Sequence, residues 1–243
     1  MTTTLETPTD AALAPRPIGR VLITGGASGL GRAVAQAVAA AGGTPVVLDL
    51  NTEGVDVEHR YSVDVSDRHA VEEAVSAAAA KLGGLDAVVT AAGIDRPAAF
   101  GDVSAEQWEY IVGVNLFGTV STVRAAMPYL LESHGRVVTV ASSLGVKAVG
   151  DATAYCASKF GVVGFTRSLA AETKGKLGVT LLIPTGMKTK FFDDRDERYK
   201  PQDDSRLNDP ENVANAILFA LSQPPQSEVR ELVITHAEED SWP

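Results

Sequence analysis

Tyr155 and Lys159 stand four residues apart in Tyr155-Cys156-Ala157-Ser158-Lys159, a spacing that puts both side chains on one face of a helix. A phenol beside an ammonium is a proton-transfer pair. Tyrosine titrates near pH 10, so acid/base work at neutrality needs a shift of roughly three pH units, or about 4 kcal/mol. Lys159 is the cation that helix spacing supplies for it. An exposed aromatic with a solvated lysine one turn on is the plainer reading of the pair taken alone. A second cluster, Thr24-Gly25-Gly26-Ala27-Ser28-Gly29-Leu30-Gly31, follows an apolar run and opens an Ala-rich segment. There, glycines let backbone N–H groups at a helix N-terminus approach a pyrophosphate, although any tight strand-to-helix turn uses glycine too. Asp49 follows at the end of the next apolar run, where a carboxylate accepts hydrogen bonds from ribose hydroxyls and repels a 2′-phosphate. A turn-forming aspartate is the alternative. Between Gly25 and Asp49 the sole Lys or Arg is Arg32, inside the first helix, so the charge pattern favours NAD over NADP.

These residues need a frame. From Arg20 onward, short runs rich in Val, Leu and Ile alternate with longer Ala-rich stretches, the pattern of βαβ units around a parallel sheet buried on both faces. The runs are Val21–Thr24, Pro45–Asp49, Tyr61–Val65, Ala87–Ala91, Arg136–Ala141, Val179–Ile183 and Leu232–Thr235. They predict an α/β fold with a single Rossmann-type doubly wound sheet of about seven strands. Helices are predicted over Gly29–Ala41, closed by Gly42-Gly43; from a capping box at Ser104 and Gln107 to about Leu131; around Tyr155 to about Glu172; and from Asp209-Pro210 through Leu221. The polar stretch Asn51–His59 lacks helical periodicity and predicts a crossover made by a loop or one turn.

Composition narrows the function classes. The 243 residues carry a formal charge of −10, which disfavours nucleic acid and anionic membranes as partners. Cys156 is the sole cysteine, so no intramolecular disulfide forms. The histidines His59, His69, His134 and His236 are scattered without ligand spacing, giving no expectation of a metal. Residues 1–17 read as a flexible leader with neither the basic start nor the apolar stretch of a signal peptide, and residues 18–243 as one domain. No stretch approaches a membrane span, and cytoplasmic residence is the default expectation.

Taken together the motifs resemble the short-chain dehydrogenase/reductase family in its single-domain form, over Arg20 to roughly Thr235. The glycine turn matches the family's TGxxxGxG, Asp64-Val65 its adenine-contacting pair, and Tyr155/Lys159 its YxxxK. Ser142, thirteen residues before Tyr155, stands where the family has its catalytic serine, with Ser143 the alternative. Asn115 matches the asparagine that the family uses in the long helix to hold a water for proton relay. Two motifs depart from the pattern: Thr90-Ala91-Ala92-Gly93 replaces Asn-Asn-Ala-Gly, and Thr185 in Pro184-Thr185-Gly186-Met187-Lys188-Thr189 replaces a glycine.

The resemblance implies hydride transfer between NAD and a secondary alcohol or ketone. Asn115, Ser142, Tyr155 and Lys159 are then the catalytic residues. Gly25, Ser28, Gly29, Leu30, Gly31, Asp49, Asp64, Val65, Ala92, Gly93, Tyr155, Lys159, Pro184, Gly186, Met187 and Thr189 contact the cofactor. It also implies a homo-oligomer, a tetramer or dimer. Met187 to about Leu207 reads as a substrate lid, in which Phe191 and Phe192 cover a substrate or pack the lid onto the core while the charges of Asp193–Arg198 face water. Ile94, Asp95 and Arg96 are further pocket candidates. Cys156 reads as helix packing. The alternatives are a non-catalytic NAD(H)-binding redox sensor, which needs none of the catalytic four, and a sugar-nucleotide epimerase, for which little chain remains after the seventh strand.

Overall fold

A computed structural model describes residues 14–239. Residues 1–13 of the segment read as a leader lie outside the described residues, whereas Arg16 is held on the body through its N–H to the Ser222 carbonyl and its Nη1 to the His134 carbonyl.

The alternation of apolar runs and Ala-rich segments folds as expected into seven parallel strands: β1 (Arg20–Thr24), β2 (Thr44–Asp49), β3 (His59–Ser62), β4 (Ala87–Thr90), β5 (Arg136–Val140), β6 (Gly178–Pro184) and β7 (Glu231–Ile234). Their spatial order is β3-β2-β1-β4-β5-β6-β7. The chain therefore reverses direction across the sheet between β1 and β4, and the crevice beyond the C-terminal ends of those strands is the ligand position of a doubly wound sheet. β4 and β5 are buried along their whole length, while the edge strands β3 and β7 alternate with partly or fully exposed positions, as strands with one neighbour and one open edge must.

The helices are α1 (Gly29–Ala40), α2 (Arg68–Leu82), α3 (Ala105–Val112), α4 (Gly118–Ser133), α5 (Thr153–Glu172) and α6 (Pro210–Leu221). They cover both faces. Val71, Val75, Val123 and Leu130 of α2 and α4 pack on one face of the sheet with Leu22 and Val88. Val34, Val38, Val213 and Ile217 of α1 and α6 pack on the other with Ile23 and Val89. Each such side chain contributes about 1.5–3 kcal/mol by leaving water. Arg20 ties strand starts to a helix end: its Nε and Nη2 donate to Asp86 at 2.7 and 2.9 Å, and its Nη1 reaches the Gly83 carbonyl at the end of α2.

Most element boundaries shift by a residue or two from the sequence reading, and the larger differences have physical causes. β3 ends at Ser62 rather than Val65, because Asp64 accepts hydrogen bonds from the N–H and hydroxyl of Ser66, and Asp67 then caps α2 through the N–H groups of His69 and Ala70. That chain of Asx turns bends the backbone off the sheet. β7 begins and ends one residue early. The single helix predicted from Ser104 to Leu131 is broken by a π-helical turn over Gly113–Phe117. Ser104 does cap the first part, accepting from the Gln107 N–H at 3.2 Å. The crossover between β2 and β3 is a loop, as expected.

Candidate active site

The glycine turn joins β1 to α1 with Gly25 at φ +70° and Gly29 at φ +47°, backbone that side-chain-bearing residues rarely adopt. A Cβ on Gly31 would collide with the Gly25 carbonyl. Ser28 opens α1 without a side-chain cap, and no acidic residue sits in the first turn, so the first N–H groups of the helix are left for an anionic ligand. This cradle, which any Cβ would fill, fits a dinucleotide pyrophosphate. Asp49 braces it: its Oδ2 accepts from the Ala27 N–H at 2.9 Å and its Oδ1 from the Asn51 N–H at 3.2 Å.

At the ends of β5 and α5 lies the proton-transfer group. Tyr155 and Lys159 occupy successive turns of α5 and are both buried, with Lys159 Nζ 5.7 Å from the centre of the Tyr155 ring. Ser142, in extended backbone at the end of β5, accepts from the Leu144 N–H and partners the Tyr155 phenol. Burial pushes the phenol up to about 12; the Ser142 hydrogen bond and the Arg195 charge pull it down, and Asp95 and Cys156 push it up. The shift expected from Lys159 is therefore not what the protein's own groups produce. The reason is geometric: Lys159 Nζ donates to the Val140 carbonyl at 2.9 Å, and its ammonium, itself stripped of water, is brought down to about 8 by burial against the opposing pull of Asp95.

Asn115 sits in the π turn with no solvent exposure. Its side chain is committed to structure: Oδ1 accepts from the Ile94 N–H at 2.8 Å, while Nδ2 donates to the Ile94 carbonyl at 2.9 Å and to Ser158 Oγ at 3.0 Å. The amide thus clamps the loop after β4 to α5, and its three buried hydrogen bonds offset the poor helix propensity of asparagine.

Every residue expected to contact the cofactor, together with Ser142, lines one cavity of about 680 Å³ at the strand ends. Asn115 stands behind its wall, and of the further pocket candidates Ile94 lines it while Asp95 and Arg96 do not. Leu50 and Tyr110 line it as well; nothing in their spacing marked them, because only the crossover of the chain brings β2, β3 and α3 together. The segment Met187–Leu207 forms short turns, several of whose residues line the cavity, with the Thr189 side chain against Gly29. Phe191 packs on Tyr155, ring centres 5.8 Å apart. Its charges do not all face water. Arg195 turns inward, its guanidinium carbon 4.8 and 4.7 Å over the rings of Phe191 and Phe192, and pairs with the buried Asp95 at 2.9 Å. A buried carboxylate needs a cation, and Arg195 is within reach where the exposed Arg96 pairs outward with Asp194.

Among the described residues no helix is long and apolar enough to cross a membrane, and no group of three or more His, Cys, Asp or Glu is placed to hold a metal ion.

The family model for short chain dehydrogenases matches residues 19–200. The chain is 37% identical over 183 residues to a D-threitol dehydrogenase of Mycolicibacterium smegmatis, covering 70% of each protein. It is 38% identical over 195 residues to a 2-dehydro-3-deoxy-L-rhamnonate dehydrogenase (NAD(+)) of a Sphingomonas species, covering 75% of this chain and 78% of that one. Among solved structures, an alcohol dehydrogenase from Thermococcus sibiricus complexed with 5-hydroxy-NADP superposes with a TM-score of 0.81 at 23% identity, covering 91% of this chain and 97% of the other. Levodione reductase superposes with a TM-score of 0.79 at 25% identity, covering the same shares. With a family match across most of its length and relatives named as dehydrogenases, the chain belongs to the short-chain dehydrogenase/reductase family of oxidoreductases.

Proposed function

We propose that the protein oxidises a secondary alcohol to a ketone, or performs the reverse reduction, with NAD in preference to NADP. The observation that carries this reading is that the buried Tyr155 and Lys159, with Ser142 beside the phenol, lie on the wall of the same cavity as the glycine cradle. When bound, the nicotinamide supplies the hydride-accepting or hydride-donating carbon and, oxidised, a positive charge beside the phenol. Tyr155 Oη takes the hydroxyl proton of the alcohol, or returns it to the carbonyl oxygen in reduction. Ser142 Oγ hydrogen-bonds the reacting oxygen and steadies the charge that develops on it. Lys159 holds the ribose hydroxyls, and Asn115 keeps the loop after β4 and the base of α5 in register around it; proton exchange between Lys159 and solvent passes along the Asn115 turn.

The preference for NAD is supported by Asp49, which braces the cradle and lines the cavity together with Asp64; a 2′-phosphate beside Asp49 would meet negative charge. Residues 187–207 act as the lid, and residues 18–243 as one catalytic domain. The protein is further proposed to be cytoplasmic and to assemble as a dimer or tetramer, which would cover the exposed Phe117, Phe160 and Phe219. Titration with NADH and NADPH, read by energy transfer from Trp108, whose Nε1 donates to Thr153 at the start of α5, tests the cofactor reading. Tight NADH and weak NADPH binding is expected, with the difference narrowed by about tenfold or more in Asp49→Ala. Tighter NADPH binding would refute the role given to Asp49, and turnover of secondary alcohols with NAD tests the reaction itself.

A further inference from the structure

Of the charged run Asp193–Arg198, Arg195 is drawn inward: its side chain is 12% exposed and that of its partner Asp95 4%. It lines the same cavity as Ser142 and Tyr155, and its charge acts on the Tyr155 phenol. A guanidinium has five N–H donors. Asp95 Oδ2 takes one at Nη2, the rings of Phe191 and Phe192 lie against the guanidinium without accepting at its edge, and Nε is buried without a partner. On the same wall the Thr185 hydroxyl is also buried and unpartnered. Buried donors are ordinarily satisfied, so two unused ones on residues that line the cavity with Ser142 and Tyr155 leave room for an oxygen acceptor there.

The charge balance says which kind. Asp95 already neutralises Arg195 at 2.9 Å, so a substrate carboxylate would share the guanidinium with a buried carboxylate and repel it. A neutral hydroxyl or carbonyl oxygen meets no such opposition. We propose that Arg195, braced by Asp95, is a specificity-determining residue that binds a second, neutral oxygen on the carbon next to the reacting one, making vicinal diols and hydroxy ketones the substrate class. This rests on the hydride-transfer reading above and deepens it.

The test compares sec-butanol, the vicinal butanediol and lactate as substrates with NAD and NADP. The wild-type protein should favour the diol over sec-butanol in kcat/KM by about tenfold or more, the range of one charge-assisted hydrogen bond, with lactate below both. Arg195→Met alone would strand a buried carboxylate, so it is paired with Asp95→Asn, which removes both charges together. In that double variant the diol and sec-butanol should be used equally. Should it fail to fold, Arg195→Lys, which keeps the charge and loses the planar fork, should still cut the preference. Saturation-transfer NMR reads the same discrimination without turnover: the diol should bind wild-type protein more tightly than sec-butanol. Equal use of diol and monoalcohol by the wild-type protein, preference for lactate, or a diol preference that persists in the folded variants overturns the assignment of Arg195. A panel inert with both cofactors strikes instead at the reaction reading, and the inference falls with it.

Discussion

Lys159 sits in the fold at a cost, and Lys159→Met should make that cost measurable. Burial brings its ammonium from the ordinary value of 10.5 to about 8, a difference worth roughly 3 kcal/mol of folding free energy. The sign follows from proton counts. Below pH 8 both folded and unfolded chains hold the proton, and the full penalty of the buried charge is present. Between about 8 and 10.5 the unfolded chain still holds a proton that the folded chain has released, so stability rises with pH across this window; above it the penalty is gone. Methionine fills similar space without charge but leaves the Val140 carbonyl without its donor, a loss of about 1 kcal/mol. The variant should therefore be about 2 kcal/mol more stable than the wild type at pH 7, or roughly 4–8 °C higher in Tm for a chain of this size. By about pH 10.5 the advantage should have vanished or reversed. Urea unfolding of both proteins at pH 7 and pH 10, with equal m-values, gives the comparison. A variant that is less stable at pH 7 by as much as at pH 10 would refute the claim that the buried ammonium is strained.

The same group sets a limit on catalysis: since Lys159 loses its proton as pH rises through about 8 while Tyr155 keeps its own to about 12, kcat/KM for ketone reduction should be level up to about pH 8 and fall above it. Lys159→Arg should lower the rate but move the fall beyond the measured range, because arginine stays charged. Light scattering should give a dimer or tetramer mass; a monomer would count against the assembly proposed for the exposed Phe117, Phe160 and Phe219.

Much of this was visible in the chain because it is local. A glycine turn between an apolar run and an Ala-rich helix specifies its own geometry, and Gly25, Gly29 and Gly31 are required where the backbone turns left-handed or closes on itself. Tyr155 and Lys159 share a face because helical spacing alone dictates it, and the order of apolar runs fixes a parallel sheet. What escaped the sequence is what distant segments do to one another. The π turn at Gly113–Phe117 has no local signal; it exists where Asn115 reaches Ile94 and Ser158. Arg195 lies in a run of charges that reads as solvated, and only folding brings Asp95, a hundred residues earlier, against it. The upward shift of Tyr155 is hidden for the same reason: spacing reveals the neighbouring lysine but not the depth of burial that raises the phenol.

If Tyr155 moves the proton in the proposed hydride transfer, Tyr155→Phe should remove that step and little else. Phenylalanine keeps the ring against Phe191 and removes only the hydroxyl. The variant should bind NADH as the wild type does, while turnover of a secondary alcohol, followed by nicotinamide absorbance, falls by about 10²–10⁴-fold. Turnover within a few-fold of wild type, with NADH binding intact, would contradict that role for Tyr155.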